Sequence, residues 1–409
     1  MVGRRSTAAR LGGLLSLAAV STLLAACSSA VGPPTAASAS ASSSSLAPVS
    51  SMAPAPAPAL PPSADSSVGA VVPTSAPSTA PLASAAVSTA AAPSATVPSV
   101  AAPPAATPPV TGVAYVDVSV ATLWHRPSSP RAVDAAELQQ PAGVTAWLGA
   151  MTTAQRLALK GRVDSQLLLG EKVIVDKRQG TWAHVVVPDQ PTPLDVRGYP
   201  GWIPAAQLTF RAPATAANDL VVLAPTAWAY ATDGVTRVVQ ISMATRLPAL
   251  TVDVKWVHSQ LPDGRAVLLR AADVAVVAKG AAPLPATAAD VVRTAKLFLG
   301  LQYLWGGTSA FGFDCSGLTH LVFELRGITI PRDADAQARV GKAVAKADLQ
   351  PGDLVFFASN GLVHHVGIYV GNNMMLSSLQ TGSPVEYSSL SAQPFASEYA
   401  GARRLVPVT

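Results

Sequence analysis

The 409-residue chain has only two cysteines, Cys27 and Cys315. Each has a separate role below, so no pair is left for a disulfide. No Cys/His cluster has the spacing of metal ligands, which excludes a zinc-type site and leaves no cofactor implied. The net charge is only +5, and Arg4, Arg5 and Arg10 fall in a leader-like segment whose removal leaves +2, so a nucleic-acid footprint is excluded. Beyond residue 26 no apolar run is long enough to cross a bilayer. Residues 28–112 lack aromatic residues and carry one charge, Asp65. Such a stretch cannot offset its ordering entropy.

What is present at the N-terminus is an address. Arg4, Arg5 and Arg10 precede an apolar run from Leu11 to Ala26, closed by Leu24-Ala25-Ala26-Cys27. This is the layout of a secretory signal. Its ending resembles the lipobox of bacterial lipoproteins, which makes residues 1–27 a lipoprotein signal peptide and Cys27 the lipidated residue. Residues 28–112, rich in Ala, Pro and Ser, read as a disordered tether, from about 50 Å as a coil to about 260 Å as polyproline II. The implied location is extracytoplasmic, anchored to the membrane and facing the cell wall.

Order is expected from about Val113. Short β-rich runs such as Lys172–Val175 and Trp182–Val187 are separated by Gly and Pro turns, the spacing of a small barrel over residues 113–212. A helical insertion is expected near Ala146–Leu159. A second β-rich block, residues 218–280, has hairpin signals at Asp233-Gly234 and Asp263-Gly264. In the third region, residues 285–409, Thr287 caps a helix whose inner face is Val291, Val292, Ala295, Phe298 and Leu299.

The chemistry centres on Phe313-Asp314-Cys315-Ser316-Gly317. Leu318, Leu321, Val322 and Leu325 follow Cys315 at helical spacing and Gly327 supplies a stop, so Cys315 opens a helix. Backbone N–H groups and the helix dipole there favour a thiolate nucleophile; the competing reading is a small buried hydrophobe. A cysteine nucleophile needs a base. In His364-His365-Val366-Gly367-Ile368-Tyr369-Val370 the apolar face is Val366, Ile368 and Val370, so His365 points the other way, with Gly367 leaving space beside it. His364, His125, His184, His258 and His320 are the poorer candidates.

Asp314-Cys315-Ser316-Gly317, the turn Leu349-Gln350-Pro351-Gly352-Asp353, and His365-Val366-Gly367-Ile368-Tyr369 resemble the core motifs of the NlpC-type cell-wall peptidases over residues 289–405. The resemblance implies an α+β, papain-like catalytic domain, here preceded by two small all-β SH3-like barrels. It makes Cys315 the nucleophile and His365 the base. Tyr303, in Tyr303-Leu304-Trp305-Gly306-Gly307, would help to stabilise the oxyanion. The third catalytic position, usually His, is Ser377. A three-residue loop Gly371–Asn373 would set Ser377 opposite Gly367 and on the same face as His365, about 7–8 Å away on the diagonal, a gap for a bridging water; a two-residue turn would put the two on opposite faces. Asp164-Ser165-Gln166 and Gly198-Tyr199-Pro200-Gly201-Trp202 are similar to the first barrel of a subgroup that cleaves γ-D-glutamyl–diamino acid bonds. There an acidic residue and a tyrosine bind the substrate's free amine; Asp164 and Tyr199 match them, with Asp314 and Ser316 contributing from the catalytic side. The implied partners are peptidoglycan stem peptides and, through the anchor, the membrane. An amidase or transpeptidase on the same core, or a wall-binding protein without catalysis, are the alternatives.

Overall fold

The computed structural model describes residues 111–407; the signal segment, Cys27 and nearly all of the tether lie outside the described residues. The first β-rich region is one seven-stranded antiparallel sheet, in the order Val163–Leu168, Val120–Trp124, Tyr199–Pro204, Trp182–Val187, Lys172–Gln179, Gly112–Val116, Leu208–Thr209. Alternate residues of these strands, among them Val116, Leu123, Leu167, Val175, Val185 and Ile203, meet in one core. The helical insertion is two short helices, Val144–Ala150 and Thr153–Leu157, rather than one. Pro and Gly do not break it. Met151 takes extended backbone and Thr152 starts a new helix, its side chain accepting from the Gln155 N–H.

The second β-rich region has sheets of five and three strands. Both Asp-Gly signals are turns in it. Gly234 and Gly264 take positive φ, +68° and +97°, between Thr226–Tyr230 and Arg237–Ser242 and between Trp256–Gln260 and Ala266–Arg270.

The third region stacks helices on a six-stranded antiparallel sheet, ordered Lys342–Val344, Tyr399–Arg404, Leu354–Ser359, Leu362–Gly371, Met374–Ser378, Val385–Ser389. Thr287 caps the helix Ala288–Lys296, as its spacing predicts. Leu299 instead faces solvent, because the helix ends at Lys296 before the periodic face reaches it. The helix Cys315–Glu324 buries Leu318, Leu321, Val322 and Phe323 against Val366, Ile368 and Leu376 of the sheet.

This helix sits closer to its neighbours than any side chain allows. A Cβ on Gly317 would lie 2.0 Å from the Gly307 carbonyl oxygen, and one on Gly307 would lie 2.2 Å from that of Gly312. The two glycine motifs around Trp305 and Cys315 are thus one contact, backbone against backbone. In an open helix, Ala in place of Gly stabilises by about 1 kcal/mol. Here Gly317→Ala is expected to destabilise by at least about 2 kcal/mol, since neither backbone can yield without moving Cys315. Thermal unfolding of the variant checks this; an unchanged or raised Tm contradicts it.

Candidate active site

Asp314 is the N-cap of the helix Cys315–Glu324, its side chain accepting from the Gly317 N–H at 2.7 Å. The carboxylate also accepts from the Gly306 N–H at 3.0 Å and from both Arg332 terminal nitrogens, at 3.1 and 2.7 Å. Arg332 is 1% exposed and donates further to Ser316 Oγ at 3.0 Å and to Ser165 Oγ of the first β-rich region at 2.9 Å. The side chains of Asp314 and Ser316, expected to touch substrate, are therefore engaged with Arg332 and with each other while lining the cleft.

Cys315 opens the helix and is buried. Burial, followed by the neighbouring Asp314 carboxylate, pushes its thiol up to about 12. N–H groups of Val366 and Ser316 and the Arg332 cation act the other way and do not overcome it. The helix start alone thus does not hold a thiolate: desolvation outweighs the dipole. His365, adjacent in sequence to Val366, is also buried, which pushes its imidazole down to about 3. Burial thus disfavours charge on both groups.

His365 Nε2 lies 3.2 Å from Ser377 Oγ, a direct contact that needs no bridging water. The hairpin differs from the expectation in a way that explains this. Its loop is Asn372 and Asn373, both in the left-handed region (φ +51° and +58°), and Gly371 pairs with Met374. Two loop residues would put His365 and Ser377 on opposite faces, but a bulge at Val370 restores the parity, with Ile368 paired to Leu376. The imidazole also packs against the Phe357–Phe395 pair, whose rings meet edge to face at 4.9 Å, with centroids 5.8 and 6.0 Å away. The space beside Gly367 is taken by Met375, whose sulfur would lie 2.6 Å from a Cβ there. Of the other histidines, His364 is half exposed beside Glu398 and His320 is buried with Nδ1 2.9 Å from the Ile330 carbonyl.

A cavity of about 370 Å³ runs past Cys315, with Tyr303, Asp164, Tyr199, His125 and Asp333 on its walls. Tyr303 is buried, and burial with the nearby Asp314 and Cys315 raises its phenol pKa, so it stays a donor. The Tyr199 phenol pKa is raised, chiefly by burial and then by the nearby Asp333 carboxylate. Asp164 lies 3.1 Å from His125 Nδ1; its carboxyl pKa is raised by burial, opposed by His125 and Arg332. Sequence reasoning missed Asp333 and His125. Asp333 follows Arg332 in a loop without periodicity, and His125 joins the cleft through the Arg162 carbonyl, which accepts its N–H at 2.9 Å. Among the described residues no group of three or more His, Cys, Asp or Glu is placed to hold a metal ion. A larger cavity, about 420 Å³, is lined by Glu171, Arg246 and Glu324 among others, and Cys315 is not on its wall. The smaller one joins a thiol to a phenolic donor at one point and carboxylates at another, an arrangement suited to acyl transfer from a substrate with a cationic end.

Residues 300–404 match a family profile described as "NlpC/P60 family", and residues 222–276 one described as "YKFC SH3b2 domain". The chain is 42% identical over 304 residues to a γ-D-glutamyl-L-lysine dipeptidyl-peptidase of Bacillus cereus, covering 72% of this chain and 91% of that protein. It is 39% identical to a Bacillus subtilis protein of the same name, covering 70% and 96%. A crystal structure of an NlpC/P60 family protein from Bacillus cereus aligns with a TM-score of 0.69 at 42% identity, over 72% of this chain and 100% of that one. With its α+β catalytic region, its SH3-like β-rich region and relatives matched over nearly their full length, the chain belongs to the NlpC/P60 family of papain-like cysteine peptidases.

Proposed function

We propose that the chain is a cysteine endopeptidase that hydrolyses the γ-D-glutamyl–diamino acid bond of peptidoglycan stem peptides whose N-terminal L-Ala is free. The observation that carries this reading is the single cleft joining Cys315 to Asp164, Tyr199 and Asp333. The names of the two Bacillus relatives support the bond. Cys27 is read as the lipid anchor and residues 28–112 as a tether, keeping the enzyme outside the membrane at the wall. The regions 113–212 and 218–280 are read as two SH3-like barrels, and 285–409 as the catalytic domain.

On this reading the chemistry starts from a neutral thiol and imidazole. With its proton on Nε2, donated to Ser377 Oγ, His365 presents Nδ1 as the base. Nδ1 takes the Cys315 proton as the sulfur attacks the γ-carbonyl carbon. The oxyanion is met by the Tyr303 hydroxyl and the Cys315 backbone N–H, donors worth a few kcal/mol in the transition state. The imidazolium then protonates the departing diamino acid nitrogen. His365 next deprotonates a water that hydrolyses the thioester and restores the thiol. Asp164, Tyr199 and Asp333 hold the L-Ala ammonium, a three-donor group matched to acceptor oxygens.

Ser377 contributes one neutral hydrogen bond to an imidazole already packed against a pair of phenylalanines. Ser377→Ala is expected to lower kcat/KM about tenfold, His365→Ala at least about 10³-fold, and Ser377→His to keep or raise activity. Steady-state kinetics of the three variants checks the ranking; equal, near-total loss in both alanine variants contradicts it.

The whole reading is tested by mass spectrometry of products from L-Ala-γ-D-Glu-diaminopimelate and its Lys counterpart. L-Ala-D-Glu and the free diamino acid are expected from one or both peptides, and neither product from Cys315→Ala. Acetylating the L-Ala amine should cut kcat/KM about 10²-fold, the loss of about 2.7 kcal/mol of charge-assisted binding. Cleavage at another bond, or equal rates on free and acetylated peptides, would refute it.

A further inference from the structure

His125 ends the strand Val120–Trp124 and is half exposed at the mouth of the cleft, with Nδ1 3.1 Å from Asp164 Oδ2. It is the only side-chain hydrogen-bond partner of Asp164 among the described residues. The other charged and titratable groups around this pair are Arg332, which is locked on Asp314, Tyr199, Asp333, Tyr303 and Cys315 on the cavity wall, and Arg126, next to His125 in sequence. Asp335 and His364 line the same cavity, and the His125 N–H is bonded to the carbonyl of Arg162. None of them is bonded to Asp164. A neutral imidazole with its proton on Nδ1 donates to Asp164 and aims the carboxylate. A second proton, on Nε2, turns the same contact into an ion pair.

We propose that His125 is a specificity-determining residue that, when protonated, competes with the substrate's ammonium for Asp164, so that affinity for free-amine peptides falls as pH falls. This rests on the amine-binding reading of Asp164 given above. The substrate contributes the opposite sign. A peptide amine, with a pKa of about 7.7–8.0, gains charge between pH 7 and 5.5 and would by itself bind more tightly. Protonation of Asp164 itself would weaken binding, as the histidine does. Asparagine at 125 separates the two, since its amide can donate to Asp164 but cannot become charged.

The test compares KM and kcat at about pH 7 and pH 5.5 for the wild type, His125→Asn and Asp164→Ala, on L-Ala-γ-D-Glu-Lys and its N-acetyl form. In the wild type, KM for the free-amine peptide should rise about tenfold on acidification, with kcat changing less than about twofold. His125→Asn should hold the rise in KM below about threefold, and the acetylated peptide should show no such rise with either enzyme. A wild-type rise that persists in His125→Asn, or appears equally with the acetylated peptide, overturns the role of His125. Asp164→Ala tests the underlying reading separately. If it still discriminates free from acetylated peptide like the wild type, the amine site itself is misassigned, whatever His125→Asn does.

Discussion

The ion pair between Arg332 and Asp314 is the contact on which the rest of the cleft depends. It is buried, bidentate and completed by two serine hydroxyls, one from each side of the boundary between the catalytic and first β-rich regions. Asp314 caps the nucleophile helix, so the arginine fixes the residue that fixes Cys315. Ser165 is next to Asp164, so the same guanidinium fixes the strand that carries the Asp164 carboxylate into the cleft. The backbone of Arg332 is bound as well, its N–H donating to the Pro191 carbonyl at 2.9 Å. Around it, Thr308 and Ser309 bond to Gln166, and the Trp305 indole donates to the Val163 carbonyl at 3.0 Å. Val163, Ser165 and Gln166 are thus each bound to the catalytic region, with Asp164 held between them. A buried ion pair is not in itself a strong source of stability. Its effect here is geometric, holding the segments that carry Asp164 and Cys315 in register.

Desolvation does the remaining work at the reacting pair. It pushes the Cys315 thiol pKa up and the His365 imidazole pKa down, which disfavours charge on either group. Donors already in place are then strongest where charge appears. The imidazole is held both by packing against the Phe357–Phe395 pair and by its contact with Ser377.

The parts of this site legible in the sequence are those encoded by local periodicity. The helix after Cys315 follows from apolar spacing and its stop from Gly327, and the strand parity separates His365 from His364. The Asp-Gly turns are equally local. What was not legible depends on register or on packing between distant segments. The Val370 bulge shifts one residue in backbone pairing without marking the side-chain pattern, and it decides whether Ser377 reaches His365. Met375 fills the gap at Gly367 from the next strand. His125 and Asp333 enter the cleft from segments far from Cys315 in sequence, and the thiol's protonation depends on burial, which a lone helix start does not encode.

The claim that one buried arginine holds recognition and catalysis in register is tested most directly by kcat/KM of Arg332→Met on L-Ala-γ-D-Glu-Lys, with circular dichroism to verify the fold. Removing one partner of a buried pair typically costs about 3–5 kcal/mol. The Asp314 carboxylate left behind would drag the helix cap toward water. The variant is expected to keep its secondary structure, unfold at lower temperature and lose at least about 10² in kcat/KM. A folded Arg332→Met enzyme with wild-type turnover would contradict the account.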